Sequence, residues 1–181
     1  MKYLNKLLKS FLTNTVENDI ITLNNFKRLV NNLDNEIVKR IETEIGKYIN
    51  ENLNNISQII DLHNGLQKYL ATLAKSFYLR SIIEYKIPYE GKYNRYVDIV
   101  WVKKNKKIIV AIEIDSSLRK KSIEKLNLIK AENKVWVLYC NNINDSKFDV
   151  LMNTYNAKND IKVIYIGALR KYLRDRINKK G

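Results

Sequence analysis

The sequence predicts an α/β fold, a mixed central sheet flanked by helices and preceded by a helical extension. Two observations carry that expectation. Through residues 1–60 apolar side chains recur every three to four positions, whereas from residue 61 helical stripes alternate with short strand-like runs. The charge changes at the same place: residues 1–60 hold 8 basic and 7 acidic residues, so about +13 of the formal net charge of +14 lies in residues 61–181.

In the first sixty residues Leu4, Leu7, Leu8, Phe11 and Leu12 form one apolar stripe, and Leu23, Phe26, Leu29, Val30 and Leu33 a second. Asp34 can cap a third, longer helix in which Ile37, Ile41, Ile45, Tyr48, Ile49, Leu53, Ile56 and Ile60 recur at helical spacing, with Asn50 to Asn55 as its point of weakness. That stripe can pack on the rest of the chain or on a second copy, which makes 1–60 a candidate homodimer region.

From Asp61 or Asn64 a helix carries Leu66, Tyr69, Leu70, Leu73 and Phe77 on one side. Tyr78 to Ile87 reads as a strand, closed by Pro88, Gly91 and Asn94. Two further strands, Tyr96 to Val102 and Lys107 to Asp115, flank a basic turn at 103–107. A helix from about Leu118 to Ala131, a buried-type strand Val135 to Tyr139, a short helix near Phe148 to Tyr155 and a strand Ile161 to Ile166 follow. Gly167 then opens a basic helix, Ala168 to Lys179. From residue 61 the order begins helix, three strands, helix, strand.

Composition removes several chemistries. Cys140 has no partner for an intramolecular disulfide, and one Cys with one His cannot build a tetrahedral zinc site without carboxylates. The five glycines are scattered, so no glycine-rich phosphate loop exists. No apolar run approaches the ~18 residues that span a bilayer, and the lysines inside MKYLNKLLKSFL mark an amphipathic helix rather than a signal peptide. A cytoplasmic protein with no membrane partner is the expectation. A basic excess confined to one segment is the footprint of a polyanion partner, because each phosphate neutralised releases a counterion.

The chemistry concentrates on the two strands around the basic turn. In IIVAIEID, Ile108, Val110, Ile112 and Ile114 should face one way, and Ile109, Ala111, Glu113 and Asp115 the other. The hairpin can bring Asp98 beside Glu113. Three carboxylates among large apolar residues are costly to desolvate without a cation, either a hard divalent metal or lysines from the next helix.

This arrangement resembles the PD-(D/E)XK nuclease superfamily, the restriction-endonuclease-like fold. Asp98 matches its metal-binding Asp on the second core strand, and Glu113-Ile114-Asp115 its (D/E)xK element on the third; the resemblance covers about residues 62–140 of a nuclease-like domain at 61–181. It implies a metal-dependent nuclease hydrolysing phosphodiester bonds in DNA, with RNA left open. Asp98, Glu113 and the Ile114 carbonyl would hold Mg²⁺ or Mn²⁺, and Asp115 would be an added ligand or a base. Where this chain has Asp115 the family usually has lysine, and some members carry that lysine on the following helix. Lys121 and Lys125 lie one turn apart there, and Lys125 is favoured because Ile123, Leu126 and Ile129 should anchor that helix on the sheet. Glu84, Gln67 and His63 stand where some relatives place an accessory polar residue. Arg95, Arg119 and Lys120 are candidate phosphate contacts. The alternative is a nucleic-acid-binding protein of the same fold with catalysis lost.

Overall fold

The computed structural model describes residues 36–52, 59–88, 94–140 and 145–167. The two leading apolar stripes, Asp34 and the basic helix expected at 168–179 lie outside these residues. The elements are α1 (Glu36–Asn52), α2 (Ile59–Leu73), a 3₁₀ turn (Ala74–Phe77), β1 (Arg80–Ile87), β2 (Arg95–Val102), β3 (Ile108–Asp115), α3 (Lys120–Leu128), β4 (Asn133–Leu138), α4 (Asp145–Tyr155) and β5 (Ile161–Tyr165). The five strands form one mixed sheet in the order β1-β2-β3-β4-β5. β1, β2 and β3 pair antiparallel, and β4 and β5 continue parallel to β3.

Helices cover both faces. Val38, Ile41, Ile45 and Ile49 of α1 and Leu62, Leu66 and Leu70 of α2 pack with Ile99, Trp101, Val110, Ile112, Ile114, Val135 and Val137. The stripe of α1 is therefore covered by the chain itself, one of the two outcomes its periodicity allowed. α1 and α2 approach closely: a Cβ built on Gly65 would lie 1.9 Å from the Tyr48 hydroxyl, and the Tyr48 ring lies 5.0 Å from that of Tyr69. The Tyr69 hydroxyl donates to Glu44 Oε2 at 2.5 Å while Arg40 lies 2.8 Å from Oε1, so the buried Glu44 is satisfied on both oxygens.

On the opposite face Ile123, Leu126 and Ile129 of the α3 segment and Phe148 of α4 cover Val97, Val100, Val102, Ala111, Trp136, Leu138 and Tyr165. This is the anchoring expected for α3. Among the described residues no helix is long and apolar enough to cross a membrane.

The strict alternation expected along β3 fails at its start. Val102 pairs with Ile108 but Trp101 with Val110, so Ile109 is the extra residue of a β-bulge. Past the bulge the faces exchange: Ile109 joins the α1/α2 core, and Ile108 packs on the α3/α4 side.

Candidate active site

Three elements meet at the end of the sheet where β3 finishes. The last β2–β3 pair in that direction is Ile99↔Ile112, yet β2 goes on pairing with β1 as far as Arg95↔Ile87. The sheet forks at Asp98. Val97 packs on the α3/α4 face and Ile99 on the α1/α2 face, so the strand also twists there.

Two carboxylates occupy the fork. The Ile114 amide donates to Asp98 Oδ2 at 2.7 Å, and the Asp98 amide donates to Glu113 Oε1 at 3.2 Å. Each carboxylate thus takes the backbone N–H that the broken ladder would have left unpaired. The Tyr139 amide donates to the Asp115 carbonyl, so residues 113 and 115 turn their peptide groups toward β4 and Ile114 turns its own toward the fork. The Ile114 carbonyl therefore shares its edge with Asp98.

From α3, Lys125 Nζ reaches to 2.5 Å from Glu113 Oε2; Glu113 is 1% exposed. Burial, and secondarily the charge of Asp98, push the Glu113 carboxyl up to about 8 against the opposing pull of Lys125. Asp98 is raised too, chiefly by burial, with the Ile114 hydrogen bond, Lys125 and His63 working against the shift. Of the two lysines one turn apart on this helix, Lys125 reaches Glu113 and Lys121 is exposed.

Asp115 does not share the fork. Its Oδ2 accepts from the Trp136 indole at 2.8 Å and its Oδ1 lies 3.6 Å from Arg119 Nε, so its carboxylate ties β3 to β4 and to the start of α3. Among the described residues no three His, Cys, Asp or Glu side chains converge as a metal-holding group. The expected carboxylate trio is a pair plus a neighbour. The donor set left at the fork is all oxygen, the buried Glu113 carboxylate, the half-buried Asp98 carboxylate and a main-chain carbonyl, and burial raises the affinity of both carboxylates for a proton. That chemistry fits a hard divalent cation, which commonly takes one or two carboxylates and completes its shell with water.

The accessory residues gather on the α2 side. Gln67 donates both to Glu84 Oε1 at 3.0 Å and to the Asp98 carbonyl at 3.1 Å, tying α2 to β1 and β2. Glu84 occupies the β1 position across from Asp98 with φ +51°, outside regular strand geometry. His63, one turn before Gln67, lies within electrostatic reach of Asp98.

The three candidate phosphate contacts each face an acid. Arg95 lies 3.6 Å and Lys120 3.2 Å from Glu124, and Arg119 lies beside Asp115. Lys120 also stands 4.7 Å over the Tyr155 ring. From the sequence Trp136 reads only as a core residue, which it is, and Glu124 carries no signal of its own. The tie of Trp136 to Asp115 is legible only once β4 is aligned in register with β3, and Glu124 only through its spacing from Lys120 on α3. No family model, curated protein or solved structure matches this chain.

Proposed function

We propose that the chain is a metal-dependent nuclease, hydrolysing phosphodiester bonds in DNA, built on a restriction-endonuclease-like core. The observation that carries this reading is Lys125: a cation from the helix after β3 meets the carboxylate of the ExD element, beside a second carboxylate from the adjoining strand. It stands in for the lysine that the sequence lacks at position 115. The element order α2, β1, β2, β3, α3, β4 and the mixed β1-β2-β3-β4 order support the same core.

In this reading Asp98, Glu113 and the Ile114 carbonyl hold Mg²⁺ or Mn²⁺. Such a cation, when bound, polarises a phosphoryl oxygen and lowers the pKa of its water. Lys125 supplies a positive charge beside Glu113 that can orient water and offset the charge developing on the phosphate. Gln67 is a positioning residue, fixing the backbone of Asp98 relative to Glu84. Asp115 holds Trp136 and Arg119 so that α3 presents Lys125 at the fork.

The test is a cleavage panel: labelled linear, supercoiled and branched DNA with Mg²⁺, Mn²⁺ or EDTA, beside Asp98→Ala and Glu113→Ala. Metal-dependent cleavage lost in both variants is expected. Cleavage that both variants retain contradicts the proposal, and salt-sensitive binding in EDTA with no cleavage by the wild type points to the inactive binding protein instead.

A further inference from the structure

Among the described residues the positive charge does not surround the carboxylates. Around the fork, residues 61–67, 84–88, 94–98, 113–125 and 145–149 hold 7 basic and 8 acidic residues. At the opposite end of the sheet, residues 74–80, 102–108, 128–134 and 156–162 hold 10 basic and 2 acidic. Both acids there are engaged: Glu132 lies 2.6 Å from Lys107, and Asp160 lies 2.8 Å from Lys134. Lys75, Arg80, Lys103, Lys104, Lys106 and Lys130 are all exposed. Charge within the described residues is thus polarised along the strands, over about 23 Å for the eight residues of β3.

One aromatic stands in that field. Tyr78 is 98% exposed, while its neighbours turn inward: Phe77 stacks on Trp101 with ring centroids 5.6 Å apart, and Leu79 is buried. Tyr78 also adopts φ +57°, left-handed backbone that a bulky side chain rarely takes. Its amide donates to the Lys75 carbonyl at 3.0 Å and the Leu79 amide to Ala74 at 3.0 Å, the kind of closing turn in which glycine is the usual residue. Packing does not account for the ring, and glycine would relieve the backbone. The ring lies just before Arg80, whose strand partner Val102 leads into Lys103 and Lys104.

We infer that this end of the sheet binds a single nucleic-acid strand, with lysines of the β2–β3 turn on its phosphates and Tyr78 stacked on an unpaired base. Every base offers a π-face, so a lone aromatic among mobile cations binds strands without reading sequence. An anionic membrane would instead call for an aliphatic face to insert, and the chain neighbours of Tyr78 that reach solvent are Lys75, Ser76 and Arg80. The inference shares the nucleic-acid partner of the proposed function but none of its residues.

The experiment is anisotropy of a labelled oligothymidylate with the full chain in EDTA over a range of salt. Tyr78→Gly should bind about tenfold more weakly, with thermal stability unchanged or raised, and Tyr78→Phe should bind as the wild type does. A Lys103→Glu, Lys104→Glu, Lys106→Glu triple variant should also bind more weakly, with a salt slope shallower by about 2. Wild-type affinity in Tyr78→Gly or in the triple variant overturns the inference, as does loss confined to phosphatidylserine vesicles with oligonucleotide binding intact. Glu113→Ala separates the two proposals: binding retained without cleavage supports both, whereas a triple variant that binds normally beside an inactive Glu113→Ala removes only this one.

Discussion

Lys125 Nζ and Glu113 Oε2 lie 2.5 Å apart across the gap between α3 and β3, with Lys125 21% and Glu113 2% exposed at the side chain. The pair joins a helix with a charge to give to a carboxylate that burial alone would keep protonated. Lys125→Met keeps the aliphatic stem and removes the charge. Its cleavage rate should fall by about 100-fold, and the Glu113 carboxyl should rise further, because Lys125 is what holds it down. Single-turnover rates across pH measure both effects; an unchanged rate would remove Lys125 from the chemistry.

Glu113 makes stability depend on pH. Its carboxyl titrates at about 8 in the folded chain, against 4.5 as the ordinary value. The folded state therefore holds a proton that the unfolded state has released between these limits, and stability falls as pH rises through that window. Asp98, also raised, adds to the same slope. Urea denaturation in EDTA should show wild-type stability dropping from pH 5 to pH 8, by up to about 1.4 kcal/mol per unit for each carboxyl that holds its proton, and Glu113→Gln should make the profile shallower. Mn²⁺ should restore more stability at pH 8 than at pH 5, since it binds the deprotonated form.

Asp115 and Trp136 separate structure from chemistry. Trp136→Phe leaves a buried carboxylate oxygen without its donor and should cost about 1–3 kcal/mol. Asp115→Asn keeps an acceptor for the indole and should leave cleavage within about threefold of wild type. Loss of cleavage in Asp115→Asn with an unchanged melting temperature would return Asp115 to the reaction.

Gly65 tests the packing of α1 against α2. Alanine would gain helix propensity of about 1 kcal/mol, but its Cβ would sit 1.9 Å from the Tyr48 hydroxyl. Gly65→Ala should therefore lower stability, by about 1–3 kcal/mol, and Tyr48→Phe in the same chain should recover part of the loss. Additive melting shifts in the double variant would show that the hydroxyl is not what α1 places there.

The sequence carried the helix and strand order because its period changes are strong. The stripe Leu66, Tyr69, Leu70, Leu73 and the run Lys107 to Asp115 each admit one reading, and the resulting hairpin brings Asp98 to Glu113. Lys125 was legible from its spacing and from the apolar residues that seat α3. What escaped the sequence depends on departures from regularity. The bulge at Ile109 exchanges the faces of two residues, and the fork at Asp98 lets side chains bond to backbone across strands. The tie from Asp115 to Trp136 needs the β3–β4 register. The position of the basic excess relative to the carboxylates is not legible either, for a similar reason. Net charge per segment ignores which end of a strand each lysine occupies, and the turns at 103–107, 130–134 and 158–162 share the far end.

In the proposed function Asp98 and Glu113 form one cation site that drives strand scission. It is tested most directly by the cleavage rate of labelled DNA across a Mn²⁺ titration, for the wild type and for Glu113→Gln. A saturable, metal-dependent rate is expected in the wild type, with at least about a 100-fold loss in the variant. Equal curves for the two proteins, or cleavage by the wild type that persists in EDTA, would contradict it.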